Sequence, residues 1–153
     1  LEASMVLYFT GASRSSAAII DQQRKNTSSG NQKAIDAMHR IKQSAIDMKL
    51  ALLKGDMQAF AKILGQGWED KKKMAEAISN PMIQEVFDVA IPAGALAGKV
   101  SGAGGGGFIM LMVEPTRKKE VINALKELDG FVMPFQFTEG GAHGWKIYST
   151  DKI

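Results

Sequence analysis

The part of the chain best suited to chemistry is a glycine-rich run from Lys99 to Gly107, with the sequence Lys-Val-Ser-Gly-Ala-Gly-Gly-Gly-Gly. Glycine loses more conformational freedom on folding than other residues, so consecutive glycines need a compensating use. Without side chains, successive backbone N–H groups can converge and approach an anion closely, and phosphate is the usual occupant. The run predicts an anion-binding loop made of Ser101, Gly102, Ala103, Gly104, Gly105, Gly106 and Gly107.

Two familiar nucleotide-binding patterns do not fit this loop. Gly102, Gly104 and Gly107 have the spacing of the dinucleotide fingerprint, but that fingerprint follows a strand and opens a helix. Here the sequence predicts a helix before the loop and a strand after it, so the order is reversed. The NTPase phosphate loop fails because no Lys-Ser or Lys-Thr pair follows the glycines. A tight helix-to-strand connection without a ligand is the alternative interpretation.

Hydroxyl and basic side chains supply candidate substrate ligands. Ser13, Arg14 and Ser15 follow a predicted strand at a predicted helix start, which Ser13 could cap. Arginine offers a bidentate fork for phosphate, so Arg14 is the first candidate for a substrate phosphate. A capping turn with a solvated arginine is the alternative. Lys99, two residues before the loop, could contact either phosphate or solvent.

The other chemistry-bearing residues favour structural roles. Lys71-Lys72-Lys73 is typical of a solvated face, although Lys71 could approach a ligand. His39 and His143 have no second ligand at metal-binding spacing and the chain has no cysteine, so we predict no metal site. Asp21, Asp47 and Asp88 show no pairing that suggests acid–base catalysis. No catalytic residue is therefore assigned within the chain.

Hydrophobic periodicity predicts the elements that position the loop. Strands are predicted at residues 5–10 and 108–113 from continuous apolar runs, and at 131–137 and 145–149 from alternation. Five helices are predicted. The first begins at residue 13, the second covers 32–53, and the third has apolar positions from 57 to 78. The fourth runs from Pro81 to an interruption or kink at Pro92, and the fifth lies between Pro115 and Gly130. This order favours an α+β fold: one domain with an antiparallel sheet of about four strands and helices packed on one face.

Composition excludes several classes of protein. The 153 residues are 45% hydrophobic and 23% charged, which is ordinary for a globular domain. The net charge of +3 tolerates an anionic ligand without requiring nucleic acid, and the strand at 108–113 lacks the aromatic and basic pattern of an RNA-binding sheet. No apolar run approaches the roughly 20 residues of a membrane span, and no signal peptide is visible. We expect a cytoplasmic protein with no nucleic-acid or membrane partner.

The glycine run also carries a family resemblance. Lys-Val-Ser-Gly-Ala-Gly-Gly-Gly-Gly-Phe, at residues 99–108, resembles the third conserved motif of the GHMP kinases, the superfamily of galactokinase and of homoserine, mevalonate and phosphomevalonate kinases. Leu-Tyr-Phe-Thr-Gly-Ala-Ser-Arg-Ser-Ser, at residues 7–16, is similar to the branch that phosphorylates D-glycero-D-manno-heptose 7-phosphate. The resemblance spans nearly the whole chain, because the same branch is matched at residues 37–39, 51–56, 78–81 and 93–99.

The resemblance implies that residues 1–153 form a ferredoxin-like C-terminal domain of a longer kinase. In such kinases an N-terminal domain mainly holds ATP and Mg²⁺ and usually supplies the catalytic carboxylate. The chain contains no Gly-Leu-Gly-Ser-Ser-Ala run and opens with Leu1, so we expect a fragment that is inactive alone. The implied partners are a sugar phosphate, ATP and the chain's own N-terminal domain, and a homodimer is left open. The alternative is a non-catalytic ferredoxin-like module that binds a phosphorylated metabolite.

Overall fold

An antiparallel sheet organises the computed structural model of this chain, which describes residues 1–12 and 15–145. Within those residues the sheet has four strands in the order β2-β3-β1-β4: β1 (Met5–Phe9), β2 (Ala95–Val100), β3 (Phe108–Val113) and β4 (Phe131–Met133). The central strands β1 and β3 pair from Met5 opposite Met112 to Phe9 opposite Phe108. Their continuous apolar sequences are typical of strands with both faces at least partly covered.

Five α-helices connect these strands in the described part of the chain: α1 (Ser16–Ser28), α2 (Gln32–Leu53), α3 (Met57–Lys72), α4 (Pro81–Ala93) and α5 (Lys118–Leu125). The predicted caps at Asp56 and Asn80 are present, because their side chains accept hydrogen bonds from the N–H groups of Ala59 and Ile83. None of the described helices is both long and apolar enough to cross a membrane.

The main core lies between one face of the sheet and the pair α4 and α5. Alternate residues of the central strands point into it, including Tyr8, Ile109 and Leu111, which are almost fully buried. Burying a side chain of this size stabilises the fold by about 1.5–3 kcal/mol. On the opposite face, α3 packs on β2 and forms a smaller cluster made of Ala61, Leu64, Ala97 and Met112.

The element order is a strand, a helical layer, two strands, a helix and a final strand. This is the ferredoxin-like arrangement, with the two strands of the β2–β3 hairpin at one side of the sheet. The predicted α+β class and antiparallel four-stranded sheet are confirmed. The prediction that the helices pack on one face is wrong: α4 and α5 cover the main core face, whereas α3 of the α2–α3 hairpin packs against β2 on the opposite face.

The strand β2 is the principal correction to the sequence interpretation, which predicted a helix directly before the glycine loop. Residues Ala95–Val100 instead pair with β3, so the loop closes a β-hairpin. Gly98 makes this possible, because a Cβ atom there would lie 2.6 Å from Leu111 Cδ2 and 2.8 Å from the Met110 carbonyl oxygen. The dinucleotide pattern still fails, since a strand rather than a helix follows the loop.

Helix boundaries also differ from prediction. α1 begins at Ser16, with Ser15 rather than Ser13 as the capping position, and it continues through residues 26–28, which were predicted as loop. α3 ends at Lys72, and Ile78 belongs to a separate 3₁₀ turn. Pro92 lies in the last turn of α4 and does not interrupt it, because the helix ends one residue later. The helix predicted from Pro115 begins as a 3₁₀ turn before α5.

The strand β4 is shorter than predicted. β4 ends at Met133 instead of continuing to residue 137, because Pro134 has no N–H to extend the ladder. Its predicted position near an edge is confirmed by the strand order. Trp145 is exposed and lies outside any strand, and the rest of the strand predicted at 145–149 falls outside the described residues.

Candidate phosphate-binding site

The glycine loop is the tight connection between β2 and β3. The Ser101 N–H donates to the Phe108 carbonyl oxygen at 2.7 Å and closes the hairpin. Beyond it, Gly104 and Gly106 have φ values of 111° and 149°, which L side chains rarely adopt. Cβ atoms there would lie 2.7 Å from the Ile78 carbonyl oxygen and 2.9 Å from the Ala12 carbonyl oxygen. These two glycines are needed because the loop touches backbone on both sides.

One side of the loop is fastened to the segment that leads into α4. The Gly105 N–H donates to the Ile78 carbonyl oxygen at 2.9 Å, and Asn80 Nδ2 donates to the Gly105 carbonyl oxygen at 2.9 Å. The same Asn80 side chain caps α4 through its Oδ1 atom, 3.0 Å from the Ile83 nitrogen. Asn80 therefore links the start of a core helix directly to the loop.

The other side of the loop is fastened to the segment after β1. The Gly107 N–H donates to the Ala12 carbonyl oxygen at 2.8 Å and to Thr10 Oγ1 at 3.1 Å. The buried Thr10 hydroxyl donates in turn to the Ala12 carbonyl oxygen at 3.1 Å. These bonds hold Ala12, the residue before the predicted substrate-binding segment, against the glycine loop.

Of that predicted segment, Ser15 is exposed at the capping position of α1, where its side chain makes no capping bond. Ser13 and Arg14 lie outside the described residues. Their roles as substrate ligands stay predictions, as does that of Ser15.

The tip of the loop presents N–H donors for which the described residues supply no acceptor. No described residue accepts a hydrogen bond from the N–H groups of Gly102, Ala103 or Gly104. Gly102 is exposed and the other two are half-buried, whereas Gly105 and Gly106 at the base are buried. A short arc of available N–H groups on a fixed backbone is the kind of arrangement that binds anions such as phosphate.

Two lysines lie beside this tip. Lys71, near the end of α3, donates a hydrogen bond from Nζ to the Gly102 carbonyl oxygen. Burial lowers the pKa of Lys71, and the positive charge of Lys99 lowers it further. Lys72 and Lys73 instead pair with Glu69 and Asp70 at 2.7 and 2.8 Å. Of these three consecutive lysines, Lys71 is the one that contacts the loop.

The sequence predicts that Lys99 lies near the site and favours a solvated face for Lys71. A signal was present, because Lys71 follows the buried positions Leu64 and Trp68 at helical spacing. Lys71 therefore lies on the inner face of α3, where a lysine needs a partner for its ammonium group.

The donor set around the loop suits an anion and not a metal ion. N–H and ammonium groups attract phosphate and repel a cation, so Mg²⁺ would need ligands from elsewhere. Among residues 1–12 and 15–145, no three His, Cys, Asp or Glu side chains form a group that could hold a metal. His39 and His143 are both exposed.

The two hydrogen bonds of the Asn80 side chain should contribute to the stability of the chain. Replacing Asn80 by alanine removes both the α4 cap and the bond to Gly105, and should lower the free energy of unfolding by about 2 kcal/mol. Asn80→Ser keeps a capping oxygen and loses only the donor to Gly105, so a loss of about 1 kcal/mol is expected. Urea denaturation of both variants tests this. A serine variant as stable as the parent chain would contradict a contribution from the Gly105 bond.

Comparison with known proteins identifies the family to which the chain is similar. Residues 48–129 match the family described as GHMP kinases C terminal. Over 147 residues the chain is 44% identical to the D-glycero-alpha-D-manno-heptose 7-phosphate kinase of Campylobacter jejuni, and the match covers 96% of this chain and 43% of that relative. The chain therefore spans less than half the length of this curated relative.

Solved structures show the same architecture. A sugar-kinase candidate from Campylobacter jejuni matches with a TM-score of 0.64 and 41% identity, over 96% of this chain and 40% of that one. Phosphomevalonate kinase from Streptococcus pneumoniae, at 18% identity, shares the fold with a TM-score of 0.71 over 85% of this chain and 38% of that one. The chain belongs to the GHMP kinase family, and it matches that family in its C-terminal domain.

Proposed function

We propose that this chain is the substrate- and phosphate-side domain of an ATP-dependent sugar-phosphate kinase, with a heptose 7-phosphate as acceptor. The observation that carries the proposal is the anchored glycine loop, whose N–H groups at Gly102, Ala103 and Gly104 are available beside Lys71. The 44% identity to a heptose 7-phosphate kinase supports this choice of acceptor.

Phosphoryl transfer requires positioning and charge stabilisation more than covalent help from the protein. Mg²⁺-ATP would supply the phosphoryl group when bound. The available N–H groups would then hold negative charge on the transferring group or on the acceptor. Because hydrogen bonds on both sides fix the loop, these donors would need little reorganisation when the substrate arrives.

The remaining machinery belongs, in this proposal, to an N-terminal domain of the same protein. The match to 43% of the heptose kinase leaves room for such a domain. It would hold most of ATP, the Mg²⁺ ligands and the catalytic carboxylate. Ser13, Arg14, Ser15 and Lys99 are proposed substrate ligands on this side of the cleft, and a cytoplasmic location, where ATP is available, completes the proposal.

The decisive experiment compares residues 1–153 alone with a protein that also carries the upstream domain. With Mg²⁺-ATP and heptose 7-phosphate we expect ADP release only from the longer protein, measured in a coupled assay. Robust turnover by residues 1–153 alone would contradict the fragment proposal. A longer protein that binds sugar phosphates without turnover would instead favour a non-catalytic metabolite-binding module, and one inactive towards every sugar and sugar phosphate would contradict the kinase proposal.

A further inference from the structure

Lys71 and Lys99 are neighbouring positive charges for which the described part of the chain provides no carboxylate partner. Among the described residues, no Asp or Glu lies within ion-pair distance of either ammonium group, although Lys72 and Lys73 beside them are both paired. The two lysines line one cavity of about 350 Å³, together with Met5, Leu64, Met110 and Met112 among others.

This environment makes the uncompensated charge costly. The cavity walls are mainly apolar side chains from α2, α3 and the sheet, and like charges repel more strongly where water is displaced. The lowered pKa of Lys71, which burial and Lys99 cause, agrees with that repulsion. A dianion between the two ammonium groups would relieve it.

The lysine pair is separate from the arc of N–H groups at the loop tip. Lys71 binds the Gly102 carbonyl oxygen, and the N–H of the same peptide belongs to Ala103. In a trans peptide the C=O and N–H groups point in opposite directions. The peptide between Gly102 and Ala103 therefore has Lys71 on its carbonyl side and an available N–H donor on the other side, which gives two distinct places for negative charge.

We propose that Lys71 and Lys99 bind the phosphate group that the acceptor sugar already carries, and so select sugar phosphates over free sugars. The inference rests on the proposed kinase function. An ammonium group has three donors, and Lys71 uses one on Gly102, so two remain for phosphate oxygens. Lys99 lies two residues before Ser101 on β2, with its side chain on the same face of the sheet as Met110 opposite it.

The kinetic test uses the full-length protein that contains this chain. Lys71→Gln and Lys99→Gln should each raise the KM for heptose 7-phosphate about tenfold, because each removes a charge-assisted bond to phosphate. The KM for ATP should stay unchanged, and the kcat/KM for the unphosphorylated heptose should fall far less than that for heptose 7-phosphate, because the Lys71 bond to Gly102 also supports the loop. Lys72→Gln is the matched control, since Lys72 is a neighbouring lysine paired with Glu69, and it should alter none of these values.

A binding test on the same protein keeps the inference separate from the proposed activity. In lysine side-chain NMR, inorganic phosphate should shift the Lys71 and Lys99 resonances saturably and leave Lys72 unaffected. This shift without any turnover of sugar phosphates would support the lysine site and overturn the kinase proposal. Turnover of heptose 7-phosphate that neither lysine variant affects would overturn the inference alone. Equal losses for the phosphorylated and free sugars would also overturn it.

Discussion

Gly104→Ala is expected to lower the free energy of unfolding by about 3 kcal/mol, whereas Gly102→Ala should cost about 1 kcal/mol. Both residues have positive φ, at 111° and 74°, so alanine is strained at either position. The difference lies in the surroundings. At Gly104 a Cβ atom would lie 2.7 Å from the Ile78 carbonyl oxygen and 3.0 Å from its Cα atom, whereas at Gly102 it would meet nothing within 4 Å.

The two alanine variants therefore separate steric contact from backbone strain. The Ile78 atoms belong to the backbone of a 3₁₀ turn that also accepts the Gly105 N–H, so they cannot move aside without breaking that bond. Denaturant unfolding of the parent chain and both variants measures the effect. Equal losses at the two positions would show that the loop does not press against Ile78.

Gly130→Ala should be the most damaging single methyl addition in the described chain, with an expected loss of about 4 kcal/mol. A Cβ atom there would lie 2.1 Å from the Phe9 carbonyl oxygen and 2.4 Å from the Tyr8 hydroxyl oxygen. Tyr8 is 1% exposed on a central strand and has no room to withdraw. The methyl group would therefore force β4 away from β1, which pairs with it from Phe9 opposite Phe131.

The control for this prediction is Tyr8→Phe. The Gly130 N–H donates to the Tyr8 hydroxyl oxygen at 2.8 Å, so removing that hydroxyl costs one hydrogen bond, about 1 kcal/mol, and leaves the packing intact. Thermal unfolding should order the proteins as parent, Tyr8→Phe and Gly130→Ala. A Gly130→Ala variant that melts within a degree of Tyr8→Phe would contradict the close approach of β1 and residue 130.

The features that could be predicted from sequence are those determined by neighbouring residues. β1 and β3 are continuous apolar runs, and Asp56 and Asn80 precede helices as capping residues do. The glycine loop was located for a similar reason, since its composition alone restricts what it can be. Local patterns of this kind need no knowledge of what lies opposite them in the fold.

The features that were missed depend on distant partners. β2 contains alanine and glycine, which have low β propensity, and it is a strand because β3 pairs with it and because Gly98 admits Leu111 and Phe87. Lys71 reaches Gly102 across 31 positions of sequence, and its neighbours Lys72 and Lys73 turn to carboxylates instead. The helical spacing of Lys71 with Leu64 and Trp68 indicates the inner face of α3, but no local pattern shows that its partner is a loop so far along the chain.

The anchors of the glycine loop also determine when the site can form during folding. The Gly107 N–H donates a hydrogen bond to Thr10 Oγ1, 97 positions away. The Gly105 carbonyl oxygen accepts one from Asn80 Nδ2, 25 positions away. Contacts of such long sequence separation form only after most of the loop-closure entropy has been offset by other interactions. A partly folded chain in which β1 has not yet joined β3 would hold a flexible glycine segment without a fixed set of donors. The proposed phosphate site therefore requires the completed fold, because its donors have fixed positions only when both anchors of the loop are in place.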